Sequence, residues 1–539
     1  MKSSATEKQG IVAVLPSSRR VILAGAAVLF VALCLLPTLY MFGVSLTGPH
    51  GGLSTDNYRR LFMDARQRKL LLDSILVGAG AAALATCIGV PLGLLLARTD
   101  LPAKRLLRLL FVVPLVIPPY VLGLAWIYTG SSTGLIARIF GRDLLSAWTY
   151  SLTGAIIVLG TGFYPLSMLA MEAAARRMEG HLEEAALLAA NPARVLWRIT
   201  LPLIAPSITA AALIIFVLSL SEFGVPSLLR VPVFTTEVFT AFAALYDFGA
   251  ATALAVPLLL VALIAGVAVM FVIGDRMITT RRSAYAGLLY ALGHWKPAAL
   301  AFLAVVLLAT VALPLAVLAR ETGQLGRMIA AVQASGGAIA NSLLLSGAGA
   351  TLIVALSALL GYGMGRAPTR LRTMAELAFL VVFAVPGTVV GIGLIDLWNR
   401  PGLPGEIYKS PLIVLIGYLA RFVPVAALIL AANVRQTPLS LEEAAAVAGA
   451  PWPKAFGRIV LPQLRAGLLA AWVVAFIFAF GELGATVLVA PPGTSTLPVH
   501  IYTLIANAPS SEVAALALMQ VGIVLMPLVV VGVFLRGEG

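Results

Sequence analysis

Runs of about twenty or more mostly apolar residues recur along the whole chain, each long enough to cross a bilayer as a helix. In hydrocarbon, every backbone N–H and C=O must find its partner inside the segment, so such a run folds as a helix. The runs lie near residues 21–45, 70–97, 106–129, 151–172, 206–226 and 250–274, and again near 297–319, 338–365, 374–398, 411–433, 466–490 and 511–536. The reading is an all-α polytopic membrane protein of about twelve transmembrane helices. Of the 539 residues, 11% are charged, against about 25% in a soluble protein. No separate soluble domain is expected.

The runs fall into two sets of six that echo each other. Asp73-Ser74 matches Asn341-Ser342 at an offset of 268, and Arg98 with Arg366, Pro118 with Pro386 and Gly123 with Gly391 keep that offset. Further on the offset becomes 260 and carries Pro202 to Pro462 and Glu222 to Glu482. Each copy crosses the membrane an even number of times, so the two have the same orientation, related by a pseudo-two-fold axis along the membrane normal. The expected organisation is a cytoplasmic tail over 1–20, a first half over 21–282 and a second half over 283–539.

The net charge of +14 is distributed as short clusters between apolar runs, which is the positive-inside pattern. It lacks the basic stripe interleaved with aromatics that nucleic-acid binding requires, so no nucleic-acid partner is expected. Arg98, Lys104, Arg105 and Arg108 follow the second run, Arg176, Arg177, Arg194 and Arg198 the fourth, and Arg366, Arg370 and Arg372 the eighth. Arg435, Lys454, Arg458 and Arg465 surround the loop after the tenth run, and Arg276, Arg281, Arg282 and Lys296 lie between the halves. All these loops read as cytoplasmic, as does the N-terminus with Lys2, Lys8, Arg19 and Arg20. The first run is too long for a signal-peptide core and reads as an uncleaved span. Arg59, Arg60, Arg66, Arg68 and Lys69 disagree by falling outside, beside a short surface helix expected at 56–62. Cys34 and Cys87 lie within runs, so no disulfide is expected. The four histidines show no ligand spacing, so no metal site is expected.

Two polar, alanine-rich loops stand out between apolar runs. Residues 443–462 read EAAAVAGAPWPKAFGRIVLP and residues 183–202 read EEAALLAANPARVLWRITLP. Each opens on an acid, turns near Pro451 or Pro192, and closes on Arg-Ile-x-Leu-Pro. Two copies at matched places point to docking of another protein rather than to ordinary interhelical loops. Alanines allow close backbone approach, Gly449 permits a sharp turn between two short helices, and Pro202 and Pro462 suit the first turn of the helix that follows. Glu183 and Glu443 are candidates to pair with an arginine on a partner.

Both loops resemble the EAA loop of ABC importer permeases, the site where such a permease grips its ATPase. The second fits with Glu443, Ala444, Ala445, Gly449, Phe456, Ile459, Leu461 and Pro462. The first departs: it reads Glu183, Glu184, Ala185, with Ala189 in place of the glycine. A second register begins at Glu184, needs a one-residue gap, and puts Ala190 there instead.

No Gly-x-x-x-x-Gly-Lys-Ser/Thr occurs, since the only lysines before Ser or Thr are Lys2 and Lys409, and neither follows a glycine-rich loop. With no phosphate cradle the chain is not expected to be an enzyme or to bind ATP. An acid sits in each half, in Ser221-Glu222-Phe223-Gly224 and Gly481-Glu482-Leu483-Gly484, in the outer part of the fifth and eleventh runs. Glu222 and Glu482 read either as acids flanking a translocation path or as packing carboxylates that never meet substrate. Asp396, beside Trp398 and Asn399, reads as interfacial. Pro118-Pro119 and Pro386-Gly387 are expected to break or bend the third and ninth spans.

The resemblance covers nearly the whole chain. It implies a fused double permease of a type I ABC importer in a bacterial inner membrane, and within that group it is similar to ferric iron importer permeases. Asp56-Asn57-Tyr58-Arg59-Arg60-Leu61-Phe62, Glu222-Phe223-Gly224-Val225-Pro226, Phe234-Thr235-Thr236-Glu237 and Pro491-Pro492-Gly493 carry that similarity. Thiamine, phosphonate, sulfate and polyamine permeases share much of the frame. The resemblance further implies alternating access, two copies of a separate ATPase carrying ATP and Mg, a periplasmic or lipid-anchored substrate-binding protein, and a surround of membrane lipid. An ion-coupled secondary transporter, with Glu222 and Glu482 as proton carriers, is the rival from another class; two docking loops have no use in it.

Overall fold

The computed structural model describes residues 17–46, 52, 54–177, 180–273 and 290–534. Most of the expected tail over 1–20 and the expected boundary at 282/283 lie outside the described residues. Among those described, 9 helices are long and apolar enough to cross a membrane, or 12 if three bent pairs each count as one span. The expected surface helix forms over Asp56–Met63. Part of the discordant outer charge is paired, Arg66 with Glu237, and Lys69 with Asp73 at 3.9 Å.

Each half is built on three packed helices: Ala65–Arg98, Leu152–Arg177 and Leu201–Leu220 in the first, Gly336–Gly365, Leu412–Gln436 and Arg465–Phe480 in the second. Helices in lipid approach closely where small residues line the contact. A Cβ on Gly93 would come within 2.5 Å of the Met168 carbonyl, and one on Gly361 within 2.9 Å of the Ala427 carbonyl. These glycines match at the offset of 268. The repeat extends to single hydrogen bonds. Phe234 N–H donates to Ser74 Oγ at 2.9 Å, and Leu497 N–H donates to Ser342 Oγ at 2.6 Å.

The third and ninth spans break at the expected prolines. Lys104–Val116 meets Pro119–Phe140 at 92°, and Thr369–Ala384 meets Gly387–Trp398 at 93°. Proline lacks the N–H that would continue the ladder, and its ring clashes with the carbonyl one turn back.

A Leu-Pro pair has a different effect elsewhere. Four π turns occur among the described residues, at Val31–Leu35, Leu196–Thr200, Leu308–Ala312 and Phe456–Val460. Each is followed directly by Leu-Pro, at Pro37, Pro202, Pro314 and Pro462. One extra residue in the turn relieves the clash and wastes no hydrogen bond, so the helix continues through. Pro202 and Pro462 therefore do not open their helices as expected. Helical structure already begins at Pro192 and Trp452. The fifth span runs unbroken to Leu220 and stops short of the expected 226, whereas its twin bends by 76° between Gln463 and Arg465.

The first helix of each half bridges the two halves, packing on the last helix of its own half and crossing onto the other. The Ser18–Ser45 span lies against Gly336–Gly365, Gly387–Trp398 and Leu412–Gln436 of the second half. The Gly293–Thr322 span lies against Lys104–Val116 and Pro119–Gly130 of the first. Cys34 donates to the Leu419 carbonyl at 3.5 Å, and Tyr164 and Thr310 share a hydrogen bond of 3.3 Å.

An ion pair joins the third and fourth spans in one half and the ninth and tenth in the other, but the charge on the third-span position differs. Arg108 of the third span donates through Nε to Glu172 of the fourth at 2.8 Å, and Arg176 joins at 2.7 Å. At the offset of 268 the arginine becomes Glu376, which pairs with Arg435 of the tenth span at 3.1 Å.

Candidate functional site

Each alanine-rich loop folds as a short helix, a turn and a second helix that passes through the π turn into a membrane span. In the second loop, Ser440–Val447 ends in a left-handed Gly449 with φ of 77°, and Ala450 N–H donates to the Ala445 carbonyl at 2.9 Å. The glycine meets the conformational need that the sequence assigned to it. The first loop, Gly180–Leu187, closes without a left-handed residue at Ala189 or Ala190. There Asn191 Oδ1 instead accepts from Arg194 N–H at 2.9 Å, capping the second helix.

An arginine at the end of the preceding core helix holds each loop. Arg98 lies 3.3 Å from Glu183, Thr200 Oγ1 donates to Glu183 Oε1 at 2.7 Å, and Arg98 donates to the Ala175 carbonyl at 2.7 Å. Arg366 donates to Glu442 Oε1 at 2.7 and 2.9 Å, and Tyr362 donates to Glu442 Oε2 at 2.6 Å. Trp452 Nε1 donates to Tyr362 at 3.0 Å and stacks on Phe456, so an aromatic cluster closes the second anchor.

These anchors correct two expectations. Glu183 corresponds to Glu442, not Glu443, so the register beginning at Glu184 and matching Ala190 to Gly449 is the one the fold adopts. Glu183 is also fully buried and paired within the chain, so it is not offered to an arginine on a partner. Glu443, Ala444 and Gly449 are exposed and Ala445 is buried. Ala185 and Ala189 are exposed, while the Glu184 side chain lies outside the described residues. In the adopted register Leu188 matches Val447, and both side chains stand 91% exposed at the loop tips.

The chain entering each first helix clamps the other half's anchor. Arg19 sits over the Tyr362 ring at 5.3 Å. Tyr290 N–H donates to the Arg98 carbonyl at 2.7 Å, and Leu292 N–H donates to Asp100 Oδ1 at 3.0 Å. The Leu292 hydrogen bond holds the Asp100 carboxyl below its usual range, helped by Lys296. Burial raises the Tyr290 phenol above its usual value, and Glu183 adds to this.

The two acids occupy breaks just after the Leu201–Leu220 and Arg465–Phe480 helices rather than positions within them. Both breaks abut the proline breaks and each other across the boundary between halves. Ser221 Oγ donates to the Ala384 carbonyl at 2.9 Å, Gly481 lies against Pro118, and Gly224 faces Tyr120 and Leu483. Glu482 is buried and heavily satisfied: Arg421 Nη1 donates at 2.5 Å, Ala485 N–H at 2.9 Å and Thr486 N–H at 2.8 Å, and the Thr486 hydroxyl also donates. Glu222 is half-buried and accepts from Gly224 N–H at 3.0 Å. A Cβ on Gly387 would lie 2.5 Å from Arg421 Nη1, so glycine leaves the room in which the pair forms. Sequence reasoning passed over Arg421, although a cation inside the run 411–433 is itself a signal. Asp396 stays peripheral, its carbonyl accepting from Arg400 Nε at 3.2 Å. No group of three or more His, Cys, Asp or Glu is placed to hold a metal among the described residues.

Comparison with known proteins agrees with this architecture. The family model described as "Binding-protein-dependent transport system inner membrane component" matches twice, over residues 89–279 and 357–537. The Fe(3+)-transport system permease protein FbpB 2 of Haemophilus influenzae is 24% identical over 90% of this chain and 93% of its own length. The ferric transport system permease protein FbpB of Actinobacillus pleuropneumoniae is 25% identical over 80% of this chain and 66% of its own. The molybdenum transport system permease protein ModB of Mycobacterium bovis is 38% identical over 29% of this chain and 58% of its own. With both copies of the repeat matched, the chain belongs to the binding-protein-dependent transport system inner membrane components, the multi-pass permeases of ABC importers that work with ATPase and substrate-binding partners.

Proposed function

We propose that this permease carries ferric iron, with one ATPase subunit docked on each alanine-rich loop and the N-terminus cytoplasmic. Support for the docks comes from one observation: Leu188 and Val447 stand equally bare on loops whose bases are each locked by an arginine–glutamate pair. An apolar side chain held in water at matched positions fits a partner that covers both. ATP and Mg then belong to the two ATPase copies, and this chain holds neither a nucleotide nor a cofactor of its own. A periplasmic or lipid-anchored protein delivers the cargo to the outer face. Closure of the ATPases draws the loops together and parts the two acid-bearing breaks, so the path runs past Glu222 and Glu482.

The ferric reading is supported by relatives that match along most of the chain. A second reading, an oxyanion cargo, is favoured by the shorter and more similar stretch shared with the molybdenum permeases. Uptake of iron(III) and of molybdate into proteoliposomes, with the cognate ATPase and substrate-binding protein, tests both. Iron uptake that needs ATP supports the first reading; molybdate uptake without iron uptake rejects it.

A further inference from the structure

The two acid-bearing breaks match in sequence but not in wiring. Three of the four donors that satisfy Glu482 have no counterpart in the first half. Thr486 supplies an N–H and a hydroxyl, and at the offset of 260 its counterpart is Pro226, which has neither. Arg421 supplies a guanidinium, and its counterparts at offsets 260 and 259 are Thr161 and Gly162. Glu482 is thereby a cap and ion-pair residue of the fold. Glu222 has no side-chain donor among the described residues.

Beside Glu222 lies a cavity of about 10 Å³, room for one water or one bare ion. Its polar lining is Glu222, Ser74, Ser219 and Thr235. Ser219 is 2% exposed, and its Oγ has no hydrogen-bond partner among the described residues. The position matching Ser219 is Ala479, so the hydroxyl, like the unsaturated carboxylate, belongs to the first half alone. Arg421 and Glu482 lie within electrostatic reach of Glu222, giving two carboxylates and one guanidinium, the latter already bound to Glu482.

We infer that Glu222 and Ser219 form a transit site for a hard, oxygen-seeking cation, and that Glu482 takes no part in it. Carboxylate and hydroxyl oxygens are the ligands such cations prefer, and a single carboxylate binds weakly enough to release. The inference deepens the ferric reading and rests on it for the identity of the cargo, though not for the existence of the site.

The test is a terbium(III) titration of the full-length permease in nanodiscs, read by terbium luminescence under direct excitation. Wild type is expected to show saturable binding that weakens at least tenfold in Glu222→Gln and about threefold in Ser219→Ala, with Asp143→Asn unchanged. Absence of saturable binding in wild type, or equal affinity in wild type and Glu222→Gln, overturns the site. If Glu222→Gln fails to fold, Ser219→Ala decides, and an unchanged affinity there overturns it. Proteoliposomes that move molybdate and not iron, with terbium binding still dependent on Glu222, reject the cargo and leave the site standing.

Discussion

Arg98 lies 3.3 Å from Glu183, and both side chains are sealed from solvent. The same bond recurs as Arg366 with Glu442, so the acid that opens each loop serves as its foundation. Removing one partner of a buried pair leaves an unpaired charge and costs about 3–5 kcal/mol. Glu183→Ala is expected to destabilise the purified permease by roughly that amount. Glu443→Ala, on the exposed side, is expected to stay within about 0.5 kcal/mol of wild type. Unfolding of the detergent-solubilised protein measures both, and equal losses would reject the register.

Leu188 and Val447 give the opposite pattern. A Leu or Val buried by a partner contributes about 1.5–3 kcal/mol. Leu188→Asp and Val447→Asp are each expected to weaken ATPase binding by about ten- to a hundredfold while unfolding stays unchanged. The double variant is expected to lose co-purification. Retention of the ATPase by the double variant would show that it docks elsewhere.

Gly387 sits where a methyl group would strike Arg421 and Glu482. Gly387→Ala is expected to cost about 1–3 kcal/mol by forcing the pair apart. A double-mutant cycle with Arg421→Met isolates the cause, because in the Gly387→Ala background Arg421→Met has less left to break. Strict additivity would mean that the glycine serves some other purpose.

The differing charge at Arg108 and Glu376 offers a reversal test. Glu172→Arg would face Arg108 and Arg176 with a third cation and is expected to destabilise by about 3 kcal/mol or more. Adding Arg108→Glu puts an acid where the second half has Glu376, facing Arg176 and the arginine introduced at position 172, and more than half of the loss is expected to return. Failure of the double variant to recover would show that polarity at this place is fixed by surroundings that the two halves do not share.

Much of this was legible in sequence because membrane spans and proline breaks are local properties. Apolar length marked the helices, and Pro118 and Pro386 marked the bends. Gly449 was legible for the same reason, since a left-handed turn needs glycine in place. The register of the first loop was not legible. It depends on Arg98, which is 85 positions from Glu183 and meets it only through helix packing. The crossing of each first helix onto the other half was likewise hidden, because apolar surfaces carry no address. The unlike wiring of Glu222 and Glu482 was written in Pro226 against Thr486 and Ser219 against Ala479, but only the fold shows that these residues surround the acids.

The Leu-Pro steps bear on how such a chain tolerates change. Each is matched to one surplus residue in the turn before it, so helix and proline form a single unit of register. Deleting a residue from 196–200 or 456–460 would leave an ordinary α turn, bring back the clash of Pro202 or Pro462 with the carbonyl one turn back, and kink the helix between the loop and the span above. The tip would then swing out of line with its mate, though no side chain named in the dock had been touched. Insertions and deletions there should therefore uncouple energy from movement more thoroughly than most substitutions in the loops themselves.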